Sequence, residues 1–305
     1  MSSVDPRGEI NFLDCLNEQV AGVDDVLFPQ PKVSKNAFIV GAPRSGTTLL
    51  SQVMAYAFDV GYINNVAATY WQAPALGVLY GNRLVQKREF IAASNYGMTE
   101  NLSEPHEFGG FWRSRLQYEN LFQKRGHSVD WQQLLKALDQ IGAAWQKTMF
   151  YKVFQLTWHL IEFDRLRPQT KWIWVKRNLS RNVTSLLRLA EKRQETWTSA
   201  VPLEAMERFA NAPHWQQVTA QVELFNQRIE HQFESVESER IKCVSLESLI
   251  ANPTEEIHGL GEFLGLAPLE GSIETISKRL RASDLTDIAF ERQVNEFTEQ
   301  VVNRG

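Results

Sequence analysis

The sequence predicts an α/β protein built on one open parallel β-sheet with helices on both faces. Three observations carry that expectation. Short apolar runs rich in β-branched and aromatic residues alternate with longer segments of helical periodicity. Hairpin signals are scarce, so successive strands must return through crossovers, which makes the sheet parallel. The first strand also runs through a Gly/Pro/Ser turn straight into a helix, the junction that α/β units use. At 305 residues the chain fits one large domain or two small ones, and neither an internal repeat nor a low-complexity linker divides it. Residues 1–35 read as a lead-in and 36–305 as a single domain.

Within the lead-in, Phe12–Val20 has the spacing of a short helix. Phe38–Val40 is a buried strand, and Ser45–Phe58 is the helix that follows it. Residues 60–128 are loop-rich and aromatic, with Tyr70, Trp71, Phe108, Phe111 and Trp112 between helices. Trp131–Gln146 is helical and Met149–Val153 is a strand. His159–Leu166 then passes through Pro168 into Lys171–Val175, which is apolar, aromatic and β-branched, as a strand covered on both faces should be. Arg181–Lys192 is the next helix, 193–214 reads as irregular, and Trp215–Phe233 is a long amphipathic helix. Ile241–Ser245 is the last strand. Asn252-Pro253-Thr254-Glu255 opens a helix with Asn as N-cap, Pro at N1 and Glu at N3, and that helix stops at Gly265. Near the end, Phe290, Val294, Phe297 and Val301 form a helical stripe, which is expected to pack back on the body; a homodimer contact is the alternative.

The turn Gly41-Ala42-Pro43-Arg44-Ser45-Gly46-Thr47-Thr48 is the most informative stretch. Backbone N–H groups of such a turn and of the following helix N-terminus converge on an anion, aided by the helix dipole. The Gly41–Gly46 spacing is that of a P-loop, but Thr47 stands where nucleotide-hydrolysing P-loops carry lysine. The nearest cation is Arg44, inside the loop. A second anion site is expected where the strand Lys171–Val175 runs into Lys176-Arg177 and the next helix carries Ser185. A guanidinium at a strand end and a hydroxyl in the following helix reach a common phosphate. Two cradles suit a nucleotide with phosphates at two separate positions.

With these two segments the chain resembles the sulfotransferases that use 3′-phosphoadenosine-5′-phosphosulfate (PAPS). Gly41–Thr48 is similar to their 5′-phosphosulfate loop, and Arg177 to Ser185 resembles their 3′-phosphate site. The usual Arg-Asp-Pro-Arg-Asp is not kept: Asn178, Leu179, Ser180 and Arg181 follow Arg177. Phe150-Tyr151-Lys152-Val153 falls where the family often has a strand end with lysine. Val244–Pro253 followed by Phe263-Leu264-Gly265-Leu266 resembles the family's C-terminal segment, so the likeness spans roughly 36–266. Arg in the loop leans toward the bacterial and tyrosylprotein-type branches. The resemblance implies a P-loop-like sulfotransferase fold and PAPS as co-substrate, with 3′-phosphoadenosine-5′-phosphate (PAP) as product and no metal. Arg44, Ser45, Gly46, Thr47 and Thr48 would then hold the 5′-phosphosulfate, and Arg177 and Ser185 the 3′-phosphate.

Sulfuryl transfer, like phosphoryl transfer, asks the protein mainly to position groups and stabilise charge. Arg44 and Lys152 are the expected catalytic cations, Lys152 neutralising the bridging oxygen as its bond breaks. The acceptor must also lose a proton to a base. Ser103-Glu104-Pro105-His106-Glu107-Phe108-Gly109-Gly110 clusters an imidazole with carboxylates beside aromatic residues, making Glu104, His106 and Glu107 the candidates. Residue type does not choose among them; His106 and Glu104 are placed ahead of Glu107. The remaining histidines, His127, His159, His214, His231 and His258, fall in helix or surface contexts and are not read as catalytic. The acceptor is a small molecule, a glycan or a peptide bearing a hydroxyl or amine.

Composition excludes other classes. The formal charge of −4 and the lack of any Lys/Arg block argue against a nucleic-acid surface. No apolar run approaches the ~20 residues that cross a bilayer, and no secretory h-region opens the chain. Cys15 and Cys243 lack metal or disulfide spacing, which suits a reducing, cytoplasmic setting. The main rival is a P-loop kinase or nucleotide hydrolase using ATP and Mg²⁺, opposed by Thr47 and by the lack of a strand ending in a carboxylate for the metal. A non-enzymatic nucleotide-binding module is the other alternative, opposed by the presence of Arg44, Lys152 and every candidate base.

Overall fold

The computed structural model describes residues 6–85, 90–94, 99–116, 128–280 and 288–302. Helices α1 (Pro6–Val20) and α2 (Val23–Leu27) precede β1 (Asn36–Val40). Then α3 (Thr47–Ala57), α4 (Pro74–Leu84), α5 (Gly109–Leu116) and α6 (Trp131–Trp145) lead to β2 (Met149–Lys152). Helix α7 (Leu160–Leu166) leads to β3 (Lys171–Lys176), followed by α8 (Leu179–Arg193), α9 (Leu203–Phe209) and α10 (His214–Phe233). Strand β4 (Ile241–Ser245) comes next, and α11 (Leu246–Ala251), α12 (Pro253–Leu264), α13 (Ser272–Arg279) and α14 (Ile288–Val302) complete the chain.

The strands form one four-stranded sheet in the order β2-β1-β3-β4. Every pairing is parallel, with Ile39 opposite Lys152 on one side and Val40 opposite Trp174 on the other. Alternate side chains divide the core into two layers, as the strand's period of two requires. Phe38, Val40, Tyr151, Trp172 and Trp174 face α5–α8 and α10. Ala37, Ile39, Phe150, Ile173, Val175 and Val244 face α3 and α11–α13. The first layer is aromatic: Phe38 stacks on Tyr151 at 5.3 Å and on Trp172 at 5.2 Å, and meets Phe163 edge-on at 4.9 Å.

Local chemistry explains most element boundaries. Asp130 caps α6 by accepting from the Gln133 N–H, and Asn178 caps α8 by accepting from that of Arg181. Gly265, at φ 71°, ends α12 in the left-handed conformation that glycine tolerates best. Asn252 precedes α12 and Pro253 stands at its first position as expected, but the Asn252 side chain makes no capping bond. Helix α3 begins at Thr47 rather than Ser45, since Arg44 and Gly46 both take positive φ and belong to the turn. The stretch 193–214, expected to be irregular, contains α9, whose Phe209 packs on Phe297 of α14. Val294 and Phe297 of the tail stripe are buried against the body.

The lead-in is anchored on the same body. Asn17 donates to the Thr69 carbonyl and accepts from the Gln72 N–H at 2.9 Å. Asp24 receives the Ala75 and Leu76 amides at 2.7 and 2.9 Å, so α2 supplies the anion that the N-terminus of α4 lacks. Among the described residues no helix is long and apolar enough to cross a membrane.

Candidate active site

Open parallel sheets place ligands beyond the carboxyl ends of their strands, and every residue of the site lies there. Buried β1 delivers the chain to Gly41 at the middle of that edge. A Cβ on Gly41 would stand 2.6 Å from both Ser45 Oγ and the Val175 carbonyl oxygen, so only glycine fits. The turn closes with the Ser45 N–H donating to the Ala42 carbonyl at 3.1 Å. Arg44 at φ 68° and Gly46 at φ 104° then reverse the chain. Positive φ at a non-glycine such as Arg44 is strained and persists only where neighbours enforce it. Two of them do. An Arg177 terminal nitrogen donates to the Arg44 carbonyl at 3.0 Å, and Asn182 Nδ2 donates to that of Pro43 at 2.8 Å.

The two predicted cradles meet at Arg44. Its Nε donates to Ser185 Oγ at 3.1 Å, so the cation of the 5′ loop touches the hydroxyl expected at the 3′ site. The departure from the family's acidic turn also has a physical account. Asn178 Oδ1 receives both the Arg181 N–H and the Ser180 hydroxyl, and so caps α8 as Asp would. Burial lowers the Arg177 pKa, with Glu247 opposing and Arg44 and Arg181 adding to the shift; a guanidinium nonetheless stays cationic at any ordinary pH.

Lys152 ends β2 opposite Ile39, with 1% of its side chain exposed. Its Nζ donates to Thr48 Oγ1 at 2.8 Å and pairs with Glu107 Oε1 at 2.8 Å. Burial lowers the Lys152 pKa below the usual lysine range; Glu107 pulls it back up, and the charge of Arg44 lowers it further. An ammonium buried at a strand end requires such a partner.

The three candidate bases are separated by their surroundings. Glu107 is open on one side, with 38% of its side chain exposed, and bonds the buried lysine. Glu104 is only 5% exposed and turns away from Lys152, accepting from Gln52 Nε2 at 2.5 Å and from the Asn101 N–H at 3.3 Å. His106 is exposed, and its Nδ1 accepts from the Phe108 N–H at 2.8 Å, which leaves the proton on Nε2. Partial desolvation lowers its pKa, Glu107 opposing and Lys152 reinforcing. Phe108 itself sits at φ 57°, a second strained residue beside the site. Phe108, Phe111 and Trp112 are wholly buried core residues, whereas Tyr70 and Trp71 are half-buried. His159, His214, His231 and His258 lie on or beside helices away from this cluster, and His127 lies outside the described residues.

The edge thus gathers Arg44, Lys152 and Arg177, and Ser45 Oγ, Arg177 Nε and Asn182 Oδ1 there are buried with no hydrogen-bond partner. A buried orphan polar group is unfavourable by ~1–3 kcal/mol. Cations and orphan donors in a strand–helix turn fit an anionic ligand with more than one charged group. The sulfotransferase family model matches residues 36–270, most of the chain and every residue just described. The chain belongs to the sulfotransferase family. Among solved structures, the sulfotransferase resembles STF1 from Mycobacterium tuberculosis H37Rv at 17% identity and a TM-score of 0.62, covering 94% of this chain and 82% of that one. It resembles STF9 from Mycobacterium avium at 13% identity and a TM-score of 0.61, covering 93% and 80%. At such identities these likenesses establish the fold. No curated protein matches the sulfotransferase significantly by sequence. Membership makes the protein a transferase of sulfuryl groups, with PAPS as the donor the family implies, and disfavours the ATP-dependent and non-enzymatic alternatives. Among the described residues no cluster of three or more His, Cys, Asp or Glu is arranged to hold a metal.

Three participants escaped the sequence reading: Gln52, Asn182 and Glu247. Asn182 was within reach, because it lies three residues before Ser185 and so shares its helix face. Gln52 likewise follows Thr48 by one turn of α3. Glu247 gives no local signal, since it meets Arg177 only through the pairing of β3 with β4.

Proposed function

We propose that this sulfotransferase binds PAPS across Arg44–Thr48 and Arg177–Ser185 and sulfates a hydroxyl or amine, using Glu107 as base. The observation that carries the reading is the buried Lys152, bonded at once to Thr48 beside the anion loop and to Glu107 on the open side. The donor supplies the sulfuryl group and a phosphate leaving group. Arg44 and the amides and hydroxyls of Ser45, Gly46, Thr47 and Thr48 would hold its 5′-phosphosulfate; Arg177 and Ser185 would take the 3′-phosphate. Charge on three sulfuryl oxygens and on the departing oxygen then falls among fixed cations, where preorganised charge is most effective. Lys152 would meet the departing oxygen, and Glu107 would accept the acceptor's proton.

Glu107 is preferred to Glu104 because a base must reach an incoming hydroxyl, and the Glu104 carboxylate is enclosed and already engaged on two sides. It is preferred to His106 because it alone of the two bonds Lys152. A small molecule, a glycan or a peptide can present the required group. The test is Glu107→Gln, measured with PAPS and the fastest acceptor from a panel of phenols, alcohols and amines. The rate should fall by about 100- to 10,000-fold while PAP affinity is kept. Full activity in Glu107→Gln together with loss in His106→Ala would move the base to the imidazole.

A further inference from the structure

Glu107 lies on an irregular segment, so its aim has to come from side chains rather than from a strand ladder. Thr48 and Gln52 are four residues apart on α3 and share one buried face of it. Thr48 Oγ1 accepts from Lys152, whose Nζ pairs with Glu107. One turn further along α3, Gln52 Nε2 donates to Glu104 Oε1 at 2.5 Å and lies against the carbonyls of Ile91 and Ala93 at 3.1 and 2.8 Å. The segment Glu104–Glu107 is therefore fastened at both ends to one face of the helix whose first turn follows the anion loop. Within the segment the His106 N–H donates to the Ile63 carbonyl, and just before it the Tyr62 hydroxyl donates to the Ser103 carbonyl, both at 2.8 Å. The left-handed Phe108 that follows needs such restraint, because an unrestrained bulky residue would relax out of that conformation. The buried Glu104 carboxylate also accepts from the Asn101 N–H at 3.3 Å, so it joins its own turn to α3.

Resting on the assignment of Glu107 as base, we propose that Gln52, acting through Glu104, is a positioning residue that sets Glu107 against Lys152. Its amide reaches Glu104 and the carbonyls of Ile91 and Ala93. Its effect is to register the base-bearing segment on the helix that carries the nucleotide loop, so that donor and acceptor are presented in one frame. Misplacing a catalytic group by about 1 Å lowers rate by up to ~100-fold.

The test uses Gln52→Met, similar in length but without the amide, and Glu104→Met, similar in length but with no acceptor for the Gln52 amide, each in the full chain with and without Glu107→Gln. Glu104→Met breaks the same bond from the other side and gives the same reading should Gln52→Met fail to fold. Three quantities are read: PAP dissociation constant by calorimetry, kcat with the fastest panel acceptor, and the Lys152 titration by NMR of ¹³C-labelled lysine. Lys152 is faced by Glu107 from the irregular segment, with His106 beside it, by Arg44 from the loop and by the Thr48 hydroxyl from α3. PAP affinity should be unchanged, kcat should fall by ~10- to 100-fold, and Lys152 should titrate at lower pH once Glu107 is released. In the Glu107→Gln background neither variant should change kcat or the Lys152 titration further, the non-additivity expected of groups that act as a unit. Equal losses in both backgrounds, or an unchanged titration, would overturn the positioning role. Full kcat in Glu107→Gln alone would instead dismiss Glu107 as base, and the titration would still report whether Gln52 sets its position.

Discussion

The two ends of the β-sheet treat their charges in opposite ways. At the amino end, Asp164 receives two guanidinium bonds from Arg240, at 2.5 and 2.7 Å, and the indole N–H of Trp172 at 2.8 Å. Arg240 donates further to the Thr170 carbonyl, and its pKa is raised, chiefly by its hydrogen bond to Asp164. Beside it Arg167 meets Asp139, which also accepts from the Ser34 amide, although the buried Arg167 Nε has no hydrogen-bond partner. The carboxyl end is the reverse. Arg44 and Arg177 lower each other's comfort as like charges, Lys152 is depressed by burial, and Ser45 Oγ and Arg177 Nε find no partner. The same residue types pair Arg240 with a buried carboxylate at one edge, whereas at the other Arg44 and Arg177 stand together as like charges.

Breaking the pair of Asp164 and Arg240 should have the largest effect on the fold. Asp164→Ala strands the Arg240 guanidinium and the Trp172 indole N–H, and losing one partner of a buried pair is destabilising by about 3–5 kcal/mol. Urea unfolding should record that loss, while PAP affinity of the folded variant stays at the wild-type value. A matching loss of PAP affinity would mean that the two edges are not independent. Arg44→Ala should behave in the opposite sense. Removing one charge-stabilising donor lowers rate by on the order of 100- to 1,000-fold, and the melting temperature should hold or rise as repulsion with Arg177 is relieved. Near wild-type turnover in this variant would remove Arg44 from the donor site.

The pH profile sharpens the same contrast. A lysine whose folded pKa is depressed by burial gives up its proton below the ordinary range, so activity that needs the ammonium should decline on the alkaline side before pH reaches 10.5. Glu107 raises the Lys152 pKa, so in Glu107→Gln the residual activity should decline at still lower pH. An alkaline limb unmoved by that substitution would assign it to another group. The smallest effect is expected at Ser45. Its hydroxyl is buried and unmatched, so Ser45→Ala should leave the free protein equal or more stable by up to about 1 kcal/mol while weakening PAP. Clear destabilisation of the free protein would show that the hydroxyl has a structural partner after all.

The strands and the tight turn Gly41–Thr48 were legible in the sequence because their causes are local. Lys171–Val175 is apolar on both faces because both faces are covered, and Gly41 and Gly46 mark positions that a Cβ would obstruct. The neighbourhood of Arg177 was legible for a similar reason, since a strand end and the helix after it are joined by a short turn. What stayed hidden depends on residues far apart in the chain. Helix α9 is short and is propped by Phe297 of α14, so nothing in its own seven residues demanded a helix. Glu104 and Glu107 are chemically alike and three residues apart; only Gln52 on one side and Lys152 on the other tell them apart. The contact between Arg44 and Ser185 likewise arises from the pairing of β1 with β3, which no motif spacing reveals.

The central claim is that the carboxyl edge is one continuous site for a nucleotide bearing phosphates at both its 5′ and 3′ positions. The most direct test compares thermal stabilisation by PAP with that by 5′-AMP, both at the same concentration and without metal. PAP at ~100 times its Kd should stabilise the fold by roughly 2.7 kcal/mol, and 5′-AMP at the same concentration by much less. In Arg177→Ala the advantage of PAP should vanish. Equal stabilisation by both nucleotides in the unaltered protein would contradict the claim, because Arg177 and Ser185 would then hold no 3′-phosphate.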